Sequence, residues 1–274
     1  MPKELPVVGA AMFGVHLDAH LDWLAADARD LEIQDAYLPM FLDADDVQAQ
    51  TNEIKAKLAG YPGRVGVHGP FIDIPLATYD PRIREVVGLR FRQALDFCAE
   101  IGATHMVLHS PFRFLGEPNH LSDPTVGPFS FFDAAHQTLQ STLAYAESIG
   151  CTLVIENILD KHPAILTALV QSFESPVVRQ SLDTGHAYIK YGEGAPPPDY
   201  WVRTAGSMLM HVHLQDTDGY SDRHWAVGRG KIDWHELFTA LGELDTMPRL
   251  ILELMEYDEI PLAAAWLADH GLAR

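Results

Sequence analysis

The chain has 274 residues, 47% of them apolar, with 20 glycines and 18 prolines spread along it, enough to bury one large core with no stretch composed like a disordered tail or linker. Its net charge is −19, from 38 acidic side chains against 19 basic ones, which disfavours a protein whose main work is gripping a phosphate backbone, because that affinity comes from lysine and arginine releasing counterions. No segment reaches the roughly 18 uninterrupted apolar residues of a membrane span, so neither duplex DNA nor a membrane is expected as partner.

The apolar run "LPVVGAAMFG" follows a single lysine but is hardly longer than a buried strand and lacks a clear cleavage site, so it reads as a first strand over 7–13 rather than a signal segment. Further strand-like runs follow at 32–38, 64–70, 105–110, 152–157, 177–183, 209–215 and 249–254. Helical patterns lie between them. "PRIREVVGLRFRQALDFCAEIG" opens at Pro81 and closes at Gly102, and "IDWHELFTAL" carries Asp233 and Glu236 at capping-box spacing. Cys98 falls inside a predicted helix and Cys151 at a strand start, with neither metal-finger nor disulfide spacing, which fits a reducing cytoplasm.

Eight strand–helix units in one domain, 1–274, predict an α/β fold, a single (β/α)8 TIM barrel, with an open doubly wound sheet as the other arrangement. The barrel is favoured because His68, His109, Glu156, Asp183, His213 and Glu253 each fall at or just beyond the C-terminal end of a different predicted strand, where a barrel builds its active site. Three long connections, 111–130, 192–199 and 211–230, should lie over that mouth. The first, with Phe112, Phe114 and Phe129, reads either as a lid or as an ordinary surface loop with anchoring aromatics.

A carboxylate at the end of a buried strand is costly unless something neutralises it. Glu156, Asp183 and Glu253 have few cations near them in sequence but many histidines, and imidazole with carboxylate is the usual ligand set for zinc, manganese or iron. Asp183 and His186 in "DTGH" are three apart at a strand exit; Asp222 and His224 share a side if "DRH" is extended. His211 and His213 point the same way along strand 7, with His213 at the rim and His211 one layer down in a packing or supporting place.

In chain order, "VHGPF", "LHS", "VIEN", "LDTGH", "HVHLQD", "DRHWAVGRGKIDW" and "LILEL" resemble the xylose isomerase-like TIM barrel superfamily over roughly residues 64–254. It contains the sugar isomerases and epimerases and the endonuclease IV branch (AP endonuclease family 2). The epimerase side implies one divalent ion on Glu156, Asp183, His213 and Glu253, with the two glutamates moving a proton beside a carbonyl. The endonuclease IV side implies a three-metal cluster, adding positions that match His68, His109, His186, Asp222 and His224. All nine residues are present. Two aspartates and two glutamates carry −4, which one divalent ion leaves at about −2, whereas two or three ions remove the excess and attract an anion.

The expected protein is therefore a metal-dependent hydrolase with two or three zinc, manganese or iron ions per chain. It would act on a small phosphoester of sugar or polyol phosphate type, with metal-bound hydroxide as nucleophile. Arg223, Arg229 and Lys231 are candidates to hold the phosphate, unless Arg223 serves a ligand carboxylate and the others are solvated. The alternative is a one-metal sugar or sugar phosphate isomerase or epimerase with Glu156 and Glu253 as acid and base; in either case the substrate is small and anionic or sugar-like, and an oligomer is left open.

Overall fold

A computed structural model describes residues 5–112 and 130–274. Eight parallel strands, β1 (Val8–Met12), β2 (Leu31–Ile33), β3 (Val65–His68), β4 (His105–His109), β5 (Thr152–Glu156), β6 (Val178–Asp183), β7 (Leu209–Leu214) and β8 (Arg249–Leu252), close in sequence order, β8 pairing back onto β1. Parallel strands covered by helices are buried on both faces, which is why these segments read as near-continuous apolar runs. Alternate residues face the barrel interior, so His211 and His213, or Ser181 and Asp183, stack as successive layers of one face.

The helices begin and end where their local chemistry says they should. In the helix Pro81–Ile101, Asp80 accepts from the Arg82 amide at 2.8 Å, proline occupies the first turn, and Gly102 stops it at φ 73°. Val87, Phe91, Ala94, Leu95 and Cys98 form its buried stripe. In the helix Trp234–Gly242, Asp233 accepts from the Glu236 amide at 3.1 Å.

The second strand departs most from expectation. β2 ends at Ile33; residues 35–37 form a 3-10 turn and Pro39–Leu42 a short helix. Asp35 takes the Gly14 amide at 2.7 Å, which ties the turn to the segment after β1, and Pro39 opens the helix where its missing N–H costs nothing. Phe114, Phe129 and nearly all of the expected lid lie outside the described residues. Among the described residues, no helix is long and apolar enough to cross a membrane.

Candidate metal centre

The C-terminal ends of β3 to β8 deliver the predicted residues to one place. A cavity of about 480 Å³ opens there, with His68, His109, Glu156, His186, Asp222, His224 and Glu253 among its lining residues and Phe13, Tyr37, Phe71, Leu254, Met255 and Tyr257 forming an apolar wall. Asp183 and His213 lie fully buried beneath it. A larger hollow of about 630 Å³ opens at the other end of the strands, where Arg64 pairs with Asp30 beside Leu5, Phe238 and Met247, with no convergent set of ligand-type groups among the described residues.

The nine candidates sort into three groups, the first two of which share Glu156. In the central group, ligand atoms of Glu156, Asp183 and His213 lie within 4.8 Å of one another, and Glu253 Oε2 stands 3.3 Å from His213 Nδ1. In a second group, His68, His109 and Glu156 meet within the same limit; in a third, His186, Asp222 and His224 do.

Local structure aims each side chain. Asp183 ends β6 and caps the next helix by accepting from the His186 amide at 2.6 Å, and the Asn157 side chain bonds both Asp183 backbone groups, at 2.8 and 3.1 Å, fixing the ends of β5 and β6 together. His68, His186 and His224 each direct Nδ1 to a backbone carbonyl, of Gly69, Asn157 and Glu253 respectively, all at 3.0 Å. A Nδ1–H donated there leaves Nε2 facing the carboxylates, the arrangement in which a backbone oxygen fixes the tautomer of a ligand. His224 takes a left-handed φ of 47° to do so. Gln215 donates to Asp222 at 2.7 Å and to Asp183 at 3.3 Å and accepts from the His224 amide at 3.1 Å, linking the central and third groups. Gly185 makes room for it, since a Cβ there would lie 2.3 Å from the Gln215 amide.

A divalent cation fits the central group. Among the described residues, Glu156 Oε2, Asp183 Oδ2 and His213 Nδ1 are buried and reached by no hydrogen bond, a costly condition for polar atoms unless a cation completes them. Burial and the neighbouring carboxylates push the Asp183 carboxyl up to about 6. Two carboxylate oxygens and an imidazole nitrogen are donors suited to zinc, manganese or iron.

Sequence reasoning missed Glu32. From the middle of β2 it reaches His211 Nε2 at 2.9 Å and His213 Nε2 at 3.0 Å while only 2% exposed. It also missed Gln34, which donates to Glu253 Oε1 at 2.9 Å and accepts from the Tyr257 hydroxyl at 3.2 Å. An acid inside the apolar "LEI" run was the available signal. The cations expected to hold phosphate sit elsewhere: Arg223 pairs with Asp218 at 2.9 Å, Arg229 with Glu259 at 2.7 Å, Lys231 is exposed, and none of the three lines the cavity. His16 is exposed against the Tyr257 ring, 4.7 Å between centroids, and also lies outside the lining.

Known proteins resemble this chain along most of its length. A Thermus thermophilus protein solved after a zinc chloride soak is 26% identical, with a TM-score of 0.75 over 97% of this chain and 99% of that one. A D-tagatose 3-epimerase-like protein superposes with a TM-score of 0.77 over 96% of each chain at 21% identity. Fructoselysine 3-epimerase of Escherichia coli is 26% identical over 151 residues, 53% of this chain and 50% of the epimerase. An uncharacterized protein of Methanocaldococcus jannaschii is 26% identical over 192 residues, 67% of this chain and 62% of that protein, so this chain spans less than two thirds of either curated relative. The family model of the xylose isomerase-like TIM barrel matches residues 25–271, and the chain belongs to that family.

Proposed function

We propose that this protein is a metal-dependent isomerase or epimerase that moves a proton at the carbon beside the carbonyl of an uncharged sugar-like substrate. One observation carries the reading: at the mouth, the buried atoms left without a hydrogen bond among the described residues all belong to the central group. That is a site built for one ion, with a carboxylate from β5 and another from the end of β8 beside it. The cavity wall supports an uncharged substrate, since no lysine or arginine is among the described residues lining it. The relationship to a fructoselysine 3-epimerase points the same way, and the expected phosphoester hydrolysis yields to the isomerase alternative.

Glu156, Asp183, His213 and Glu253 would hold the ion, which supplies polarisation of the substrate carbonyl. One of the two glutamates takes the proton from the adjacent carbon, the C–H electron pair moves toward the carbonyl carbon and oxygen, and the other glutamate returns a proton to the opposite face for epimerisation. Glu253 is held for this by the Gln34 amide on Oε1, leaving Oε2 toward the central group. Phe13, Tyr37, Phe71 and Tyr257 keep the wall apolar and exclude water from the reacting carbon.

The second and third groups favour one other reading, phosphoester hydrolysis across three ions, because their ligand atoms also converge within 4.8 Å. Elemental analysis of protein purified without chelator or metal-binding tag separates the two, together with incubation of ketoses in heavy water. About one ion per chain, with deuterium entering beside the carbonyl, is expected. Two or three ions, turnover of phosphoesters and no exchange would overturn the proposal.

A further inference from the structure

We infer that Glu32 is a positioning residue that sets the protonation pattern of His213, so that Nδ1 and not Nε2 faces the central group. The inference rests on the reading that this group holds an ion. Glu32 Oε1 lies 3.0 Å from His213 Nε2, and Oε2 lies 2.9 Å from His211 Nε2. Beyond that, Ser181 Oγ is 2.9 Å from His211 Nδ1. With neutral rings, as a bound cation requires of a ligand imidazole, only one pattern satisfies all three contacts to a charged carboxylate: Nε2–H of each ring donates to Glu32, and the Ser181 hydroxyl donates to His211 Nδ1. His213 Nδ1 then keeps its lone pair, turned toward Glu156 Oε2 at 3.2 Å and Glu253 Oε2 at 3.3 Å.

Glu32, His211 and His213 are themselves grouped closely enough to suggest a separate ion. Their contacting atoms already pair with one another at hydrogen-bond length, however, and the unpartnered atom is on the other side of the His213 ring. Glu32 therefore supports an ion site without belonging to it. A carboxylate behind a ligand imidazole orients the ring and raises its basicity, and losing such a partner typically costs about 10- to 100-fold in metal affinity. His211 and Ser181 serve the same end at one remove, by holding the second Glu32 oxygen.

Two measurements test this without any substrate. In the zinc-loaded wild-type protein, proton–nitrogen correlation spectra of the histidine rings should show His213 with a proton on Nε2 and the metal on Nδ1; a proton on Nδ1 would overturn the inference. Zinc dissociation constants, by chelator competition, should rise about 10- to 100-fold in Glu32→Gln, whose uncharged amide keeps one acceptor oxygen for the two imidazole N–H groups, and change far less in Ser181→Ala. An unchanged constant in a folded Glu32→Gln would also overturn it. If that variant does not fold, the wild-type spectrum decides alone. A wild-type chain that binds no zinc at all would fail the metal reading itself, which is a different outcome from a chain that binds it equally well with and without Glu32.

Discussion

The central group and the group formed by His186, Asp222 and His224 use the same residue types a few ångströms apart, yet they stand in different electrostatic condition. Asp222 is 44% exposed at its side chain, and its Oδ2 meets His186 Nε2 at 3.2 Å and His224 Nε2 at 3.1 Å. Against the burial that would lower it, the Asp222 contact and the Glu253 charge raise the His224 imidazole to about 10. The outer group can thus be completed by protons alone. In the central group Glu156 is drawn well below the usual carboxylate range despite its burial, chiefly by the charge of His213, while Asp183 keeps an oxygen that no donor reaches. A proton on His213 Nδ1 would meet Glu156 at 3.2 Å but leaves the Asp183 oxygen unmet. Residue type alone, then, does not distinguish an ion site from a self-satisfied polar cluster; the count of unpartnered buried atoms does.

Removing charge from each group in turn gives the largest predicted contrast. Glu253→Gln should lower kcat for the epimerised ketose by about 10²- to 10⁴-fold, the usual worth of a general acid or base. Asp222→Asn should leave kcat within about tenfold, and His109→Ala should act mainly on KM, because both lie outside the central group. Steady-state kinetics at saturating metal measure this. Comparable losses from all three variants would erase the contrast and favour a cluster working as a unit. Full activity in Glu253→Gln would remove every metal-dependent reading.

A smaller effect sharpens the contrast through the residue that joins the two groups. Gly185→Ala would place a Cβ 2.3 Å from the Gln215 side chain, and Gln215 is fully buried while bonding Asp183, Asp222 and His224. Overpacking of this kind costs about 1–3 kcal/mol, readable as a fall in Tm of roughly 2–4 °C per kcal/mol. Zinc affinity should fall with it, since Asp183 loses its neighbour. Unchanged melting would mean that Gln215 moves aside freely and does not couple the groups.

Much of this was legible in the amino-acid order, and the reasons mark where legibility stops. Strand ends were readable because a barrel strand is an apolar run that ends abruptly in a polar residue, and Glu156, Asp183, His213 and Glu253 all sit at such ends. β2 was overextended because the alternation in "EIQDAYL" is a strand signal that the Asp35–Gly14 bond overrides through a contact 21 residues away. Glu32 was missed because it is one layer below the rim, where an acid is explained only by histidines from a strand almost two hundred residues later. The phosphate-holding role given to Arg223 and Arg229 depended on nearness in sequence to His224, whereas their partners Asp218 and Glu259 were no less available. Long-range pairing decides all of these but one, the Arg223–Asp218 pair being only five residues apart.

The smallest predicted effect concerns Asp160, which braces the mouth from outside both groups. Its carboxylate accepts from the Ser110 hydroxyl at 2.7 Å and the Ile158 amide at 2.9 Å, so it ties the segment after β4 to the segment after β5, next to His109 and Glu156. Burial pushes this carboxyl up to about 6 from an ordinary value near 3.8. A raised acid favours the folded state only where the folded state holds the extra proton. That stabilisation is complete at low pH and is lost as pH rises through about 6. Asp160→Asn keeps a carbonyl acceptor and cannot titrate, so the stability difference between wild type and variant isolates this one group. From pH 7.5 to 5.5 the wild type should gain about 1 kcal/mol on the variant, or roughly 2 °C in the difference of their melting temperatures. A difference that stays flat over that interval would mean that Asp160 is ionised throughout, and that the bridge between β4 and β5 is a charged one.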